Sequence, residues 1–140
     1  MEFQHEIEIG RNPAEVFDVL TDPAKLPAWQ PTTVSVRRDR QGPLVVGERF
    51  DEVHRAMGRE APSAVEVVDL EPGKSFALRI VSGPLPLDGR WELSPTPSGT
   101  RLSFTGHAKS PGLMRLAKPM LARQFRGYHK RLKALLEQDA

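Results

Sequence analysis

The sequence contains no cysteine, which excludes a disulfide framework, a thiolate zinc site and a cysteine nucleophile together. It also lacks any run of about eighteen apolar residues, so no segment is suited to cross a membrane as a helix. Its start, Met1 to Glu6, is acidic and alternating, unlike the basic then apolar opening of a secretory signal, and the expected location is the cytoplasm. There is no Gly-rich phosphate loop, no Gly-x-Ser-x-Gly elbow and no dinucleotide fingerprint. The four histidines, His5, His54, His107 and His129, do not stand at the spacing with which helical histidines bind zinc. Neither a metal nor a cofactor is expected. Aromatic residues are only 6% of the chain, and few are interleaved with basic ones, which argues against a stacking platform for single-stranded nucleic acid. No nucleic-acid partner is expected.

What is present is enough for one folded domain over residues 1–140. Hydrophobic residues make up 39% before glycine is added, close to an ordinary globular composition. The net charge of +2 is unevenly placed. Every charged residue from Lys109 to Lys133 is basic, whereas Glu2, Glu6, Glu8, Glu15, Asp18 and Asp22 dominate the beginning. Such a basic stretch either attracts an anionic partner or membrane surface, or is the solvated face of an amphipathic helix.

The second alternative has a definite pattern behind it. Between Pro111 and Gln138, the residues Met114, Ala117, Leu121, Phe125, Tyr128, Leu132 and Leu135 recur at steps of three or four, which predicts one apolar stripe on a long helix. Arg115, Arg123, Arg126, Lys130 and Lys133 fall on the opposite side. A surface so divided requires a cover for its apolar face.

The preceding residues supply strands. Phe3, His5, Ile7 and Ile9 alternate with Glu2, Gln4, Glu6 and Glu8, the period of a sheet with one wet face. Asn12-Pro13-Ala14-Glu15 then carries a helix-start signal in which Asn12 caps and Glu15 reaches back. Asp22-Pro23 opens a second short helix, which Pro27 is expected to cut short. From Thr32 onward, breakers such as Gln41-Gly42-Pro43, Gly58, Pro72-Gly73 and Pro97-Ser98-Gly99 separate six strands. The order is one strand, two short helices, six strands and a long helix, and it predicts an antiparallel α+β domain.

This order resembles the START-like (SRPBCC) superfamily, and within it the polyketide cyclase/dehydrase and lipid-transport branch. The segments that carry the likeness are Asn12 to Phe17, Trp29-Gln30-Pro31, Val46 to Phe50, and Gly99 to Leu102. The resemblance implies a helix-grip fold, a seven-stranded antiparallel sheet wrapped around the C-terminal helix with a deep cavity between them. It also implies a hydrophobic ligand such as a lipid, polyketide or aromatic compound. Some members catalyse cyclisation or dehydration and others only bind, so fold alone does not decide the activity.

In such a cavity a few placed polar groups orient an otherwise apolar ligand. Strand parity puts Glu52 and His54 on the face of Phe50. They form an acid/base pair if that face is the inner one, and a solvated pair if the strand faces the other way. Tyr128 falls within the helix stripe, its hydroxyl requiring either a ligand atom or a residue of the sheet. Trp29, Phe50, Phe76, Leu78, Trp91, Phe104, Phe125 and Tyr128 are the expected ligand contacts, although Trp29 and Trp91 also suit plain core. His5 reads as a core or rim histidine, and His107 as facing water. Leu85 and Leu87, held by Pro84 and Pro86, are expected to form an apolar lip over an entrance. Pro119 is expected to kink the long helix or to end a separate first turn.

Three functions follow from these residues. The first is binding of a hydrophobic small molecule. The second is a cyclase or dehydratase using Glu52, His54 and Tyr128. The third is a partner-binding or membrane-surface module using the basic side of the long helix, around Arg123, Arg126 and Lys130.

Overall fold

A computed structural model describes residues 2–56, 58–83, 87–108 and 111–138, with backbone only for Ala56, Pro111, Leu113 and Met114. The chain runs through β1 (Glu2–Ile9), α1 (Pro13–Leu20), a single 3-10 turn (Pro23–Lys25), α2 (Leu26–Trp29), β2 (Thr33–Arg37) and β3 (Arg49–Ala56). It continues through β4 (Arg59–Glu71), β5 (Ser75–Ser82), β6 (Leu87–Thr96), β7 (Gly99–Ala108) and α3 (Pro111–Glu137). The strands form one antiparallel sheet in the order β1-β7-β6-β5-β4-β3-β2. The expected seven-stranded sheet and long C-terminal helix are therefore present, and the architecture is the helix-grip fold.

Local sequence explains most of the boundaries. Asn12 accepts a hydrogen bond from the Glu15 backbone N–H at 2.9 Å, as a cap should. Glu15 does reach back, but to the Asn12 side-chain amide, at 2.8 Å. Asp22 caps the following turn by accepting from the Ala24 N–H at 3.0 Å. Pro27 corrects one expectation, because it lies in the first turn of α2 and opens that helix rather than ending it. At that position its missing N–H costs no intrahelical hydrogen bond. Pro119 lies inside α3, which is continuous through it.

The face that α3 buries is rotated slightly from the expected stripe. Leu121, Tyr128, Leu132, Leu136 and His129 are buried, while Phe125 and Ala117 pack against that core only partly covered. Leu135 is intermediate, its neighbour Leu136 having the inner place. Met114, assigned to the same stripe, has a side chain outside the described residues. Each fully buried leucine contributes about 2 kcal/mol of transfer free energy. The stripe therefore ties α3 to the sheet more firmly than its helix propensity does.

Close approach between β1 and β7 depends on one glycine. A Cβ on Gly106 would lie 2.5 Å from the ring of Phe3, whose side chain fills that place. Phe3 is thereby held 5.7 Å from Phe104 and 5.8 Å from Phe125, between ring centroids. The aromatic layer so begun runs directly into the site.

Candidate functional site

Between the inner face of the sheet and α3 lies a cavity of about 260 Å³. Its apolar wall is made by Val65, Leu78, Ile80, Leu87, Trp91 and Phe104 from the sheet, and by Leu121 and Phe125 from α3. Gln30, Thr32, Glu52, His54, Ser63 and Tyr128 add polar groups. The alternation of β3 accounts for two of these, since Phe50, Glu52 and His54 share the inward side. Of the two orientations open to this strand, the structure adopts the one that turns Glu52 and His54 toward the cavity.

Glu52 is 6% exposed, and burial pushes its carboxyl up to about 7. Its oxygen lies 3.9 Å from Nε2 of His54. Burial lowers the His54 pKa, so no firmly charged imidazolium faces the carboxyl at neutral pH. His54 Nδ1 in turn stands 3.5 Å from the Thr33 hydroxyl. The Tyr128 hydroxyl is hydrogen-bonded to that of Thr32, just before β2, and burial raises its pKa. Glu52, His54 and Tyr128 thus line the same cavity.

Trp91 is the central aromatic surface. Its ring centroid is 4.9 Å from that of Phe104, and Phe104 stacks on Phe125 at 4.6 Å with 12° between planes. Gly89 keeps these rings accessible, because a Cβ there would stand 3.1 Å from the Phe104 ring and 3.4 Å from that of Trp91. The Trp91 indole N–H donates to Nε2 of His129 at 3.0 Å. A second hydrogen bond, 3.0 Å long, joins Nδ1 of His129 to Nδ1 of His5. Indole can only donate, so His129 must be neutral with its proton on Nδ1, and it donates that proton toward His5. Burial carries the His129 pKa down to about 3. His5 is also lowered, first by burial and then by Arg126 and Lys130. Sequence reading left His129 out of the apolar stripe, although it stands four residues after Phe125 and three before Leu132.

Not every expected contact reaches the cavity. Leu78, Trp91, Phe104, Phe125 and Tyr128 line it, but Trp29, Phe50 and Phe76 do not. Those three surround a separate void of about 10 Å³ beneath α1 and α2, because the two short helices plug that end of the sheet. The Trp29 indole nitrogen has no hydrogen-bond partner among the described residues. Leu87, expected on an exposed lip, is buried at the start of β6 and forms part of the wall. Leu85, with Pro84 and Pro86, lies outside the described residues. His107 faces water opposite Glu2.

The outer side of α3 exposes Arg115, Arg123, Arg126 and Lys130, together with Leu116 at 85% and Met120 at 67% exposure. No helix among the described residues is long and apolar enough to cross a membrane. Among the described residues, no group of three potential ligands from His, Cys, Asp and Glu stands where it could hold a metal ion.

Comparison with known proteins agrees with this architecture. The sequence model of the family described as polyketide cyclase / dehydrase and lipid transport matches residues 1–137. No curated protein sequence matches the chain. Among solved structures, a protein of Nitrosomonas europaea superposes with a TM-score of 0.84 at 22% identity, covering 100% of this chain and 96% of its own. One of Mesorhizobium loti gives 0.81 at 21% identity, covering 100% and 99%. The protein Ara h 8.0201 gives 0.75 at 14% identity, covering 99% and 98%. At these identities the structural likeness shows a shared fold.

Proposed function

The chain belongs to the polyketide cyclase / dehydrase and lipid transport family, and from that premise we propose that it binds a hydrophobic small molecule, a lipid, polyketide or aromatic compound, between the sheet and α3. The observation that carries this reading is the cavity of about 260 Å³ with its continuous wall of Leu78, Ile80, Trp91, Phe104 and Phe125. A few polar groups set into apolar walls are the usual composition of a small-molecule site. A thermal-shift screen of lipids and aromatic compounds, followed by native mass spectrometry, tests it. Binding should raise the melting temperature and give a one-to-one mass adduct, whereas a screen in which no compound class does either would end the reading.

A second reading has its own support. Glu52, with its pKa brought to about 7, is suited to exchange a proton at neutral pH, and His54 stands 3.9 Å away on the same wall. This favours a cyclase or dehydratase with Glu52 as acid/base, His54 as its partner and the Tyr128 hydroxyl as a hydrogen-bonding group on the ligand. In any conversion found, Glu52→Gln should lower kcat by about a hundredfold or more while KM changes little. Equal turnover by the variant would leave binding alone.

The outer side of α3 supports a third use, as a basic surface for an anionic membrane, with Leu116 and Met120 entering the interface beside Arg115 and Arg123. Reversing Arg123, Arg126 and Lys130 to Glu should abolish co-sedimentation with anionic vesicles and leave ligand binding intact. Association unchanged by those reversals would dispose of this use.

A further inference from the structure

Glu52 narrows the ligand class. We propose that the cavity selects an uncharged hydrophobic molecule bearing a carbonyl oxygen, that the Glu52 carboxyl donates the hydrogen bond that orients it, and that carboxylate ligands are rejected. The inference rests on the ligand-binding reading and adds to it the polarity of the group recognised.

Glu52 is opposite Ser63 of β4 and Val36 of β2, and it and Ser63 are both buried in the cavity region. Among the described residues its carboxyl makes no hydrogen bond, and no Lys or Arg pairs with it. The titratable groups that line the cavity with it are His54 and Arg55 of β3 and Tyr128 of α3. Arg55 is already paired with Glu60 and has a side chain 59% exposed. Tyr128 is bonded to Thr32. The remaining polar neighbours, Gln30, Thr32, Ser63 and Gln124, carry no charge.

An ionised carboxylate without a cation costs several kcal/mol in such a place, and the group avoids that cost by holding its proton. Burial indeed favours the protonated form of Glu52. A protonated carboxyl is a donor in search of an acceptor. With Ser63 and the amide of Gln30 also able to donate, this end of the cavity offers hydrogens to an oxygen atom. A carbonyl oxygen accepts them without bringing a charge into the apolar wall. A ligand carboxylate would bring an anion that no lysine or arginine of the cavity interior neutralises, and it would have to be desolvated to enter.

Four probes with one ring system test this: 2-acetonaphthone, 2-naphthoate, 2-naphthylmethylamine and 2-ethylnaphthalene. Each is titrated by tryptophan quenching and calorimetry against the wild-type protein and Glu52→Gln. Near pH 5.5 the ketone should bind about tenfold more tightly than the hydrocarbon and at least as far ahead of the naphthoate, the difference made by one well-placed hydrogen bond. Raising the pH to about 8.5 should weaken ketone binding by about tenfold as Glu52 loses its proton, and leave hydrocarbon binding unchanged. Glu52→Gln, whose amide still donates, should keep ketone binding and lose the pH dependence. Naphthoate binding as tightly as the ketone would overturn the inference. So would amine binding that strengthens toward high pH, which would make Glu52 a cation partner. Equal, pH-independent binding of hydrocarbon and ketone would overturn it while leaving the hydrophobic site in place. Failure of all four probes to bind would remove the hydrophobic site along with it.

Discussion

Trp91 and His129 are joined by a 3.0 Å hydrogen bond from indole nitrogen to imidazole Nε2, and this single contact links the cavity wall to the inner face of α3. Because His5 takes the other imidazole nitrogen, the tautomer and the ring plane of His129 are both fixed. Trp91 is consequently a rigid surface, set by a polar chain that reaches from β6 across α3 to β1.

Replacing His129 by leucine should test that rigidity. It leaves the indole N–H of Trp91 buried without an acceptor, a cost of about 1–3 kcal/mol, and it frees the ring to change rotamer. Urea denaturation should show a lowered midpoint, and tryptophan emission of the folded protein should shift. His129→Gln, which can restore an acceptor, should recover part of the stability. If leucine and glutamine behave alike, the Trp91 contact contributes little.

Acid should weaken the fold through the same residue. His129 is held neutral by burial, at about 3 against an ordinary 6.5, so the unfolded chain takes up the proton first. Its contribution is complete above about pH 6.5 and is lost as the pH falls toward 3, to the extent of about 5 kcal/mol at most. The stability difference between wild type and His129→Gln should therefore shrink over that range. A difference that stays constant from neutral pH to about pH 4 would contradict a buried neutral imidazole.

Glu52 has the opposite dependence. Its folded pKa of about 7 exceeds the ordinary 4.5, so the folded chain holds the proton more tightly than the unfolded chain. Its contribution is complete below about pH 4.5 and is lost as the pH rises through 7, by about 3 kcal/mol at most. Glu52→Gln should gain on the wild type across that interval and level off above it. Thermal denaturation at several pH values measures this directly, and parallel curves for the two proteins would show that the carboxyl titrates normally.

These two residues also show where sequence reading succeeds and where it stops. The parity of β3 brings Glu52 and His54 to the side of Phe50, and the three-and-four spacing of α3 selects Leu121, Phe125, Tyr128 and Leu132. Both signals report a face. Neither reports depth along that face, which is why Trp29, Phe50 and Phe76 group with Trp91 in the sequence yet pack under α1 and α2 in the structure. His129 is hidden for another reason: a histidine looks polar until a partner such as the Trp91 indole is known, and that partner lies 38 residues away in the chain.

Tyr128 and Thr32 provide a test of how the cavity is closed at its polar end. Their hydroxyls bond to each other and connect α3 to the start of β2. Tyr128→Phe and Thr32→Val should each cost about 1 kcal/mol, and the double variant should cost clearly less than the sum, since the second substitution removes a group already left unpaired. Denaturant midpoints of the four proteins give the coupling. Strict additivity would mean that the two hydroxyls act separately.

The two tryptophans should finally behave as opposites, although both are almost fully buried. Trp91 lines the cavity and Trp29 does not, so a bound aromatic molecule should quench the emission of a Trp29→Phe variant far more than that of Trp91→Phe. Stability should separate them as well. Trp29→Phe deletes an indole N–H that has no partner among the described residues, which offsets part of the lost packing and keeps the net cost to about 1–2 kcal/mol. Trp91→Phe abandons the acceptor on His129 and opens the wall between Phe76 and Phe104, so its cost should be larger. Quenching that follows Trp29 would place the ligand beneath α1 and α2, and comparable stability losses in the two variants would mean that the bond from Trp91 to His129 contributes little.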